Sequence, residues 1–124
     1  IKDEIYYAEK NSGAYMNNKS IRVSKKREIS NCLFSSNSKK ISSDGLTIRI
    51  TGSAALDLAY VSCGRFDGSF HKNLNLWDIA AGSVLVREAG GVLSDIDLKK
   101  TENISLISSN QSIEKEINNK ISMF

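Results

Sequence analysis

Proline is absent from all 124 residues, while Lys, Asn, Ile and Ser are abundant, the bias of an AT-rich bacterial coding sequence. Cysteine is scarce. Cys32 and Cys63 lie far apart, with no CxxC spacing and no neighbouring histidine, so neither a zinc motif nor a dithiol centre is written here. Two reduced, buried thiols in a cytoplasmic protein are the expectation. No apolar run reaches the roughly 18–20 residues that a membrane-spanning helix needs, and no signal peptide is visible. Excess charge is missing too. The 17 basic and 14 acidic residues leave a net charge of +3, and the lysines are spread along the chain, which argues against direct nucleic-acid binding. There is no internal repeat and no low-complexity tract. What remains, 40% hydrophobic and 25% charged residues, is the composition of one globular domain with a core. The chain opens at Ile1, without a methionine and directly in strand-like sequence, and reads as the second part of something longer.

Alternation and turn residues organise the first third. "EIYYAEKNSGAYMNN" predicts a hairpin, with a turn at "NSG" and a second turn at Asn17-Asn18. "SIRVS" predicts a strand with Ile21 and Val23 on one face, and Asn31–Phe34 another. Ser35–Gly45 is polar and serine-rich, which predicts a loop at a subdomain seam. Three segments follow: a hairpin segment over 1–34, a loop over 35–45, and a C-terminal α/β subdomain over 46–124.

Beyond the loop, "LTIRIT" alternates with Leu46, Ile48 and Ile50 on one face. "AALDLAYVSC" predicts a small-residue helix ending at Gly64, and "RFDGSF" a short strand with a turn at Asp67-Gly68. "WDIAAGSVLVREAGG" predicts a helix from about Asp78 to Ala89, stopped by Gly90-Gly91 and apolar on nearly every side, as in a helix sandwiched between layers. "VLSDI" and "ISLISS" read as strands. Asn110 is a good N-cap for a last helix with Ile113, Ile117 and Ile121 on one stripe. Strands alternating with helices imply a layered α/β fold.

Two features carry chemistry. Asp78 stands at the mouth of the apolar helix. It is either a plain cap, for which Asp is well suited, or a carboxylate that faces a cleft and holds a hard cation or a substrate hydroxyl. "TGSAA", Thr51–Ala55, is a strand-to-helix turn, which reads equally as a simple cap or as exposed amides that approach an anion. Other polar residues have simpler readings. Asp57 belongs to a solvated helix face, Asp67 to a turn, and Asp95 and Asp97 to exposed strand ends, while Trp77 packs in the core. His71, the only histidine, reads as a loop residue.

"WDIAAGSVLVREAGG" resembles the second signature of the inositol monophosphatase family, and "TGSAALDLAYVSCGRFDGSF" resembles the segment before it. "DEIYYAEKNSGAYMNNKSIRVS" resembles the family's strand hairpin, and "ISSNQSIEKEI" its closing strand and helix, with a flavour of the bacterial extragenic-suppressor (SuhB-type) members. The resemblance implies the C-terminal portion of a layered αβαβα sandwich. It implies a Mg²⁺-dependent, lithium-sensitive phosphomonoesterase acting on a small-molecule phosphate ester, commonly as a homodimer. By resemblance, Asp78 is a metal ligand, and Gly52, Ser53 and Ala54 contact substrate through the backbone.

The chain also departs from that pattern. The family's other metal ligands, a glutamate pair and a D-P-[IL]-D-G-[ST] motif, are not in this sequence, so no catalytic residue is assigned here. A two-metal site uses one ion to generate the nucleophile and another to stabilise the leaving oxygen, and one aspartate does not supply both. The segment between Cys32 and Leu46 is shorter than the family's. His71 occupies the place of a substrate-binding glutamate, seven residues before Asp78. Two rival readings follow: a non-catalytic partner of the transcription machinery, and a degenerate gene fragment.

Overall fold

The computed structural model describes residues 3–37, 46–94 and 100–120. Its first strands are β1 (Tyr6–Ala8), β2 (Ala14–Met16) and β3 (Lys19–Ser20), which form a three-stranded antiparallel sheet in that order. Asn17 and Asn18 join β2 to β3 with φ of 50° and 68°. Two successive positive-φ residues make the tight turn whose twist matches the flanking strands, and asparagine tolerates that region best after glycine.

A 3₁₀ turn at Ile29–Asn31 leads into the second sheet. Its strands are β4 (Leu33–Ser36), β5 (Thr47–Arg49), β6 (Gly68–Leu74), β7 (Val92–Leu93) and β8 (Ile104–Ser109), in the order β5-β4-β6-β8-β7. β4 is parallel to both β5 and β6, while β8 is antiparallel to β6 and β7. The helices among the described residues are α1 (Ala54–Ser62), α2 (Leu76–Glu88) and α3 (Glu114–Lys120).

Alternation along the strands divides the core. On one face of the larger sheet, Phe34 and Phe70 pack with ring centroids 5.1 Å apart and join Leu46, Ile113 and Ile117 beneath α3. On the other face, Leu74, Ile104 and Leu106 meet Leu58 and Val61 of α1 and Ile79 and Val86 of α2. The outer side of the α1–α2 pair packs through Ala59, Leu85 and Ala89 on Ala14 and Ile21 of the hairpin segment. The layers are therefore sheet, helix pair, sheet, helix. This is the layered α/β order expected from the sequence, and it explains why α2 carries so few polar residues. The two helices approach closely at Gly82, where a Cβ would lie 2.6 Å from the Cβ of Leu58.

Several expectations need correction. α2 begins at Leu76 rather than Asp78, with Asn75 in the N-cap position. Trp77 is 72% exposed. It shares an open stripe with Ala80, Ala81 and Arg87, which with the half-buried Val84 fall on one side of a helix whose other sides are covered. Hydrophobicity alone did not distinguish that stripe from the buried faces. Ile50 is 52% exposed because it lies beyond the end of β5, where the alternation has no sheet to act on. Ser35 and Ser36 are buried strand residues, not loop. Cys63 is only half-buried, whereas Cys32 is buried as expected. Burial, followed by the Asp67 carboxylate, pushes the Cys32 thiol up to about 11, which makes it unreactive. Asp95, Asp97 and Ile121 lie outside the described residues. Among the described residues, no helix is long and apolar enough to cross a membrane.

One side chain of α2 also hydrogen-bonds the hairpin. Glu88 accepts the Asn11 N–H at 2.9 Å and the Gly13 N–H at 2.8 Å. Those two backbone bonds, in that order of weight, hold its carboxyl below the ordinary value of 4.5. A carboxyl with a lowered folded-state pKa adds stability that is present above 4.5 and lost as pH falls through the folded value. Acidification below 4.5 should therefore loosen the hairpin before the core, read as faster amide exchange at Asn11 and Gly13. Glu88→Gln should give that faster exchange at neutral pH. Unchanged exchange in the variant would show that the hairpin is held by its apolar contacts alone.

Candidate functional site

One cavity of about 290 Å³ gathers most of the chemistry. It opens where three parallel strands end. Ser36 and Asn37 come from the carboxyl end of β4, Gly52–Ala55 from the turn after β5, and His71 and Leu74 from β6. The first turns of α1 and α2 contribute Asp57 and Asp78. From β4 the chain continues to β5 on one side and, after α1, to β6 on the other. Ligands of open α/β sheets bind at the carboxyl ends of strands, at such a switch point. Two helix N-termini also bring partial positive charge to the same opening, which suits an anion.

The turn before α1 is built from short-range bonds. Gly52 has φ of 88°, the left-handed region that glycine adopts without strain, and a Cβ there would meet nothing within 4 Å. Ser53 caps α1, its hydroxyl accepting the Leu56 N–H at 3.1 Å. The rim opposite is fixed by side chains that extend the β4–β6 pairing. Asn37 donates to the Lys72 carbonyl at 2.7 Å and accepts the Lys72 N–H at 3.0 Å, while the Ser36 hydroxyl donates to the Phe70 carbonyl at 2.7 Å.

Asp57 is not on a solvated face. It is 1% exposed, because the α1 side that carries it packs onto β6. Its Oδ1 accepts from the Thr51 hydroxyl at 2.6 Å, and its Oδ2 lies 2.8 Å from Nε2 of His71. His71 is a strand residue and is 2% exposed, not a loop histidine. Its Nδ1 is buried and has no partner among the described residues. Asp67 is also buried rather than a simple turn residue. It accepts the Leu33 N–H at 2.7 Å and pairs with Lys26 at 3.2 Å, away from the cavity.

Asp78 sits in the first turn of α2 and accepts the Asn75 N–H through Oδ2 at 3.2 Å, the returning half of a capping box. Both readings of this residue thus coexist: it caps, and it lines the cavity. Among the described residues nothing hydrogen-bonds Oδ1. A hard carboxylate oxygen suits Mg²⁺ in kind, since Mg²⁺ is commonly held by one or two carboxylates together with phosphate oxygens and water. It does not suffice in number, because among the described residues no group of three or more His, Cys, Asp or Glu side chains is placed to hold a metal.

The cavity unites Gly52, Ser53, Ala54, His71 and Asp78, the residues singled out from the sequence. Sequence reasoning missed Asp57, Thr51, Ser36 and Asn37. One signal was available: Asp57 is the only charged residue in the α1 sequence AALDLAYVS, and a lone charge in so apolar a helix needs a reason.

The family model for the inositol monophosphatase family matches residues 1–122. The chain belongs to that family. It is 35% identical to an inositol-1-monophosphatase of Mesorhizobium japonicum over 132 residues, covering 93% of this chain and 50% of that protein. It is also 35% identical to the Nus factor SuhB of Haemophilus influenzae, covering 98% of this chain and 52% of the relative. Among solved structures, the extragenic suppressor protein suhB of Bartonella henselae superposes with a TM-score of 0.84 at 36% identity, over 97% of this chain and 54% of that one. The chain thus spans about half the length of the relatives it matches.

Proposed function

We propose that this chain is the C-terminal part of a Mg²⁺-dependent phosphomonoesterase that hydrolyses inositol or sugar phosphates. One observation carries the reading: a carboxylate, a strand-to-helix turn and a buried polar pair line one cavity at the carboxyl ends of parallel strands. The family membership supports phosphatase chemistry. Asp78 would hold the metal together with donors from an upstream half and the phosphate itself. A bound Mg²⁺ supplies Lewis-acid charge to phosphoryl oxygens and activates water. The backbone of Gly52, Ser53 and Ala54 would receive the ester, and His71 would border its alcohol part. The two helix N-termini favour the phosphate's negative charge without a basic side chain.

On this reading the chain by itself is inactive, because one carboxylate does not hold two catalytic ions. The purified 124-residue chain should hydrolyse inositol 1-phosphate no faster than a no-protein blank. Joined to an upstream half bearing a D-P-x-D-G-[ST] motif, it should show Mg²⁺-dependent turnover. Turnover by the chain alone, lost in Asp78→Asn, would overturn the division of labour. An upstream reading frame without that motif would overturn the enzyme reading. It would favour a non-catalytic role through partners of the transcription machinery, a reading supported by the similarity to a protein named Nus factor SuhB.

A further inference from the structure

Beside the proposed metal ligand, a chain of four groups runs from the exposed substrate turn down to the buried Asp57–His71 pair. The Ser53 N–H donates to Thr51 Oγ1 at 3.2 Å, and the Thr51 hydroxyl donates to Asp57 Oδ1 at 2.6 Å. Asp57 Oδ2 faces His71 Nε2 at 2.8 Å. The carboxylate accepts only, so the proton between the last pair sits on Nε2. In the neutral ring that leaves Nδ1 bare, and Nδ1 is the ring atom without a partner among the described residues.

We propose that Asp57 is a positioning residue: it fixes His71 in the Nε2–H tautomer on one side and, through Thr51, holds the Gly52–Ser53 turn open to the cavity on the other. The carboxylate links two elements that nothing else in the chain of bonds joins, β6 and the turn after β5. Thr51 has a single hydroxyl proton, and the short bond to Asp57 takes it. Its lone pairs are thereby turned toward the Ser53 amide. The turn is ordered before any ligand arrives, which spares the ligand that entropic cost. The catalytic part of this idea rests on the phosphomonoesterase reading above, and the bonding part does not.

Because His71 is the only histidine, the imidazole nitrogens of the chain can be followed by NMR without ambiguity. In its neutral form the ring should show a protonated Nε2 and a bare Nδ1. In Asp57→Asn the amide can accept from Thr51 only by turning its N–H₂ toward the ring, so the ring proton should move to Nδ1. A neutral wild-type ring protonated on Nδ1, or a ring unchanged in Asp57→Asn, would overturn the proposal. Thr51→Val should speed amide exchange at Ser53 about tenfold, the scale of one lost hydrogen bond. His71→Gln, which keeps a donor for Asp57, should stay near wild type in that exchange, and His71→Leu should not; equal exchange in the two would overturn the link through Asp57. Circular dichroism confirms that each variant is folded. Titration with inositol 1-phosphate and Mg²⁺ of a polypeptide that joins this chain to an upstream metal-binding half then separates the two layers. Shifts at Gly52 and Ser53 that weaken about tenfold in Thr51→Val support positioning for that ligand. Shifts equally strong in wild type and variant would overturn it. No shifts in wild type would sink the phosphate-ester reading, while the ring and exchange results still decide whether Asp57 is the hub.

Discussion

Leu58→Ala should lower the stability of the chain by about 3–5 kcal/mol and its melting temperature by roughly 10–20 °C. Leu58 is fully buried in the cluster that joins α1, α2 and the larger sheet. Its side chain also fills the space over Gly82, where a Cβ would lie 2.6, 2.7 and 3.2 Å from Leu58 Cβ, Cδ1 and Cγ. The layers on either side are sheets, which do not collapse easily into a void, so the upper part of the usual Leu→Ala range applies. The close approach makes a second, sharper claim. Gly→Ala in a helix interior ordinarily stabilises by about 1 kcal/mol. Gly82→Ala should instead destabilise, because the new methyl meets Leu58 and the two helices must separate, an overpacking cost of about 1–3 kcal/mol. In the double variant the clash with Cγ and Cδ1 disappears. The two effects should then fall short of additivity by about 1 kcal/mol. Thermal or urea melts of the four proteins settle it. A Gly82→Ala chain more stable than wild type would mean that α1 and α2 are farther apart than described.

The same contact shows what the sequence could and could not convey. Small residues and a terminal glycine marked α1, an apolar stripe marked α3, and the wholly apolar character of α2 predicted its place between layers. Gly82 marks the close approach in the sequence itself, because a glycine inside a helix is costly unless something needs the room. Trp77 was misread because hydrophobicity says how a residue would gain from burial, not whether a neighbour covers it. Asp57 and His71 were misread for the opposite reason. Each is costly to bury alone, and each becomes acceptable only beside the other. They are 14 residues apart in the chain, on different elements, so neither spacing nor periodicity links them. The cavity residues identified early, Gly52, Ser53 and Asp78, sit at element boundaries. There, capping chemistry leaves a local signature. The partners that order them come from strand pairing and helix packing, which is tertiary information.

Asp78→Asn offers the largest expected effect on function, and the structure sharpens it. Asp78 is half-buried and uses Oδ2 for the cap to the Asn75 N–H. An asparagine retains an acceptor oxygen in that place, so the capping bond survives. What is lost is one negative charge in the first turn of α2, worth about 0.3–1 kcal/mol against the helix dipole. The melting temperature should therefore fall by only a few degrees. Turnover should respond on another scale. Even outer partners of metal ligands cost about 10–100-fold when removed, so loss of a charged ligand should cost at least about 100-fold. The measurement is made in a polypeptide that joins this chain to an upstream metal-binding half, with Mg²⁺ titrated at saturating inositol 1-phosphate. The half-saturating Mg²⁺ concentration should rise sharply in Asp78→Asn while the melt without Mg²⁺ hardly moves. Asp78→Ala provides the contrast: it removes cap and charge together and should lose a further 0.5–1 kcal/mol or so of stability with no additional loss of turnover. A variant that melts far below wild type yet keeps its Mg²⁺ dependence would leave Asp78 as a helix cap and nothing more, and the metal would have to be sought on other residues.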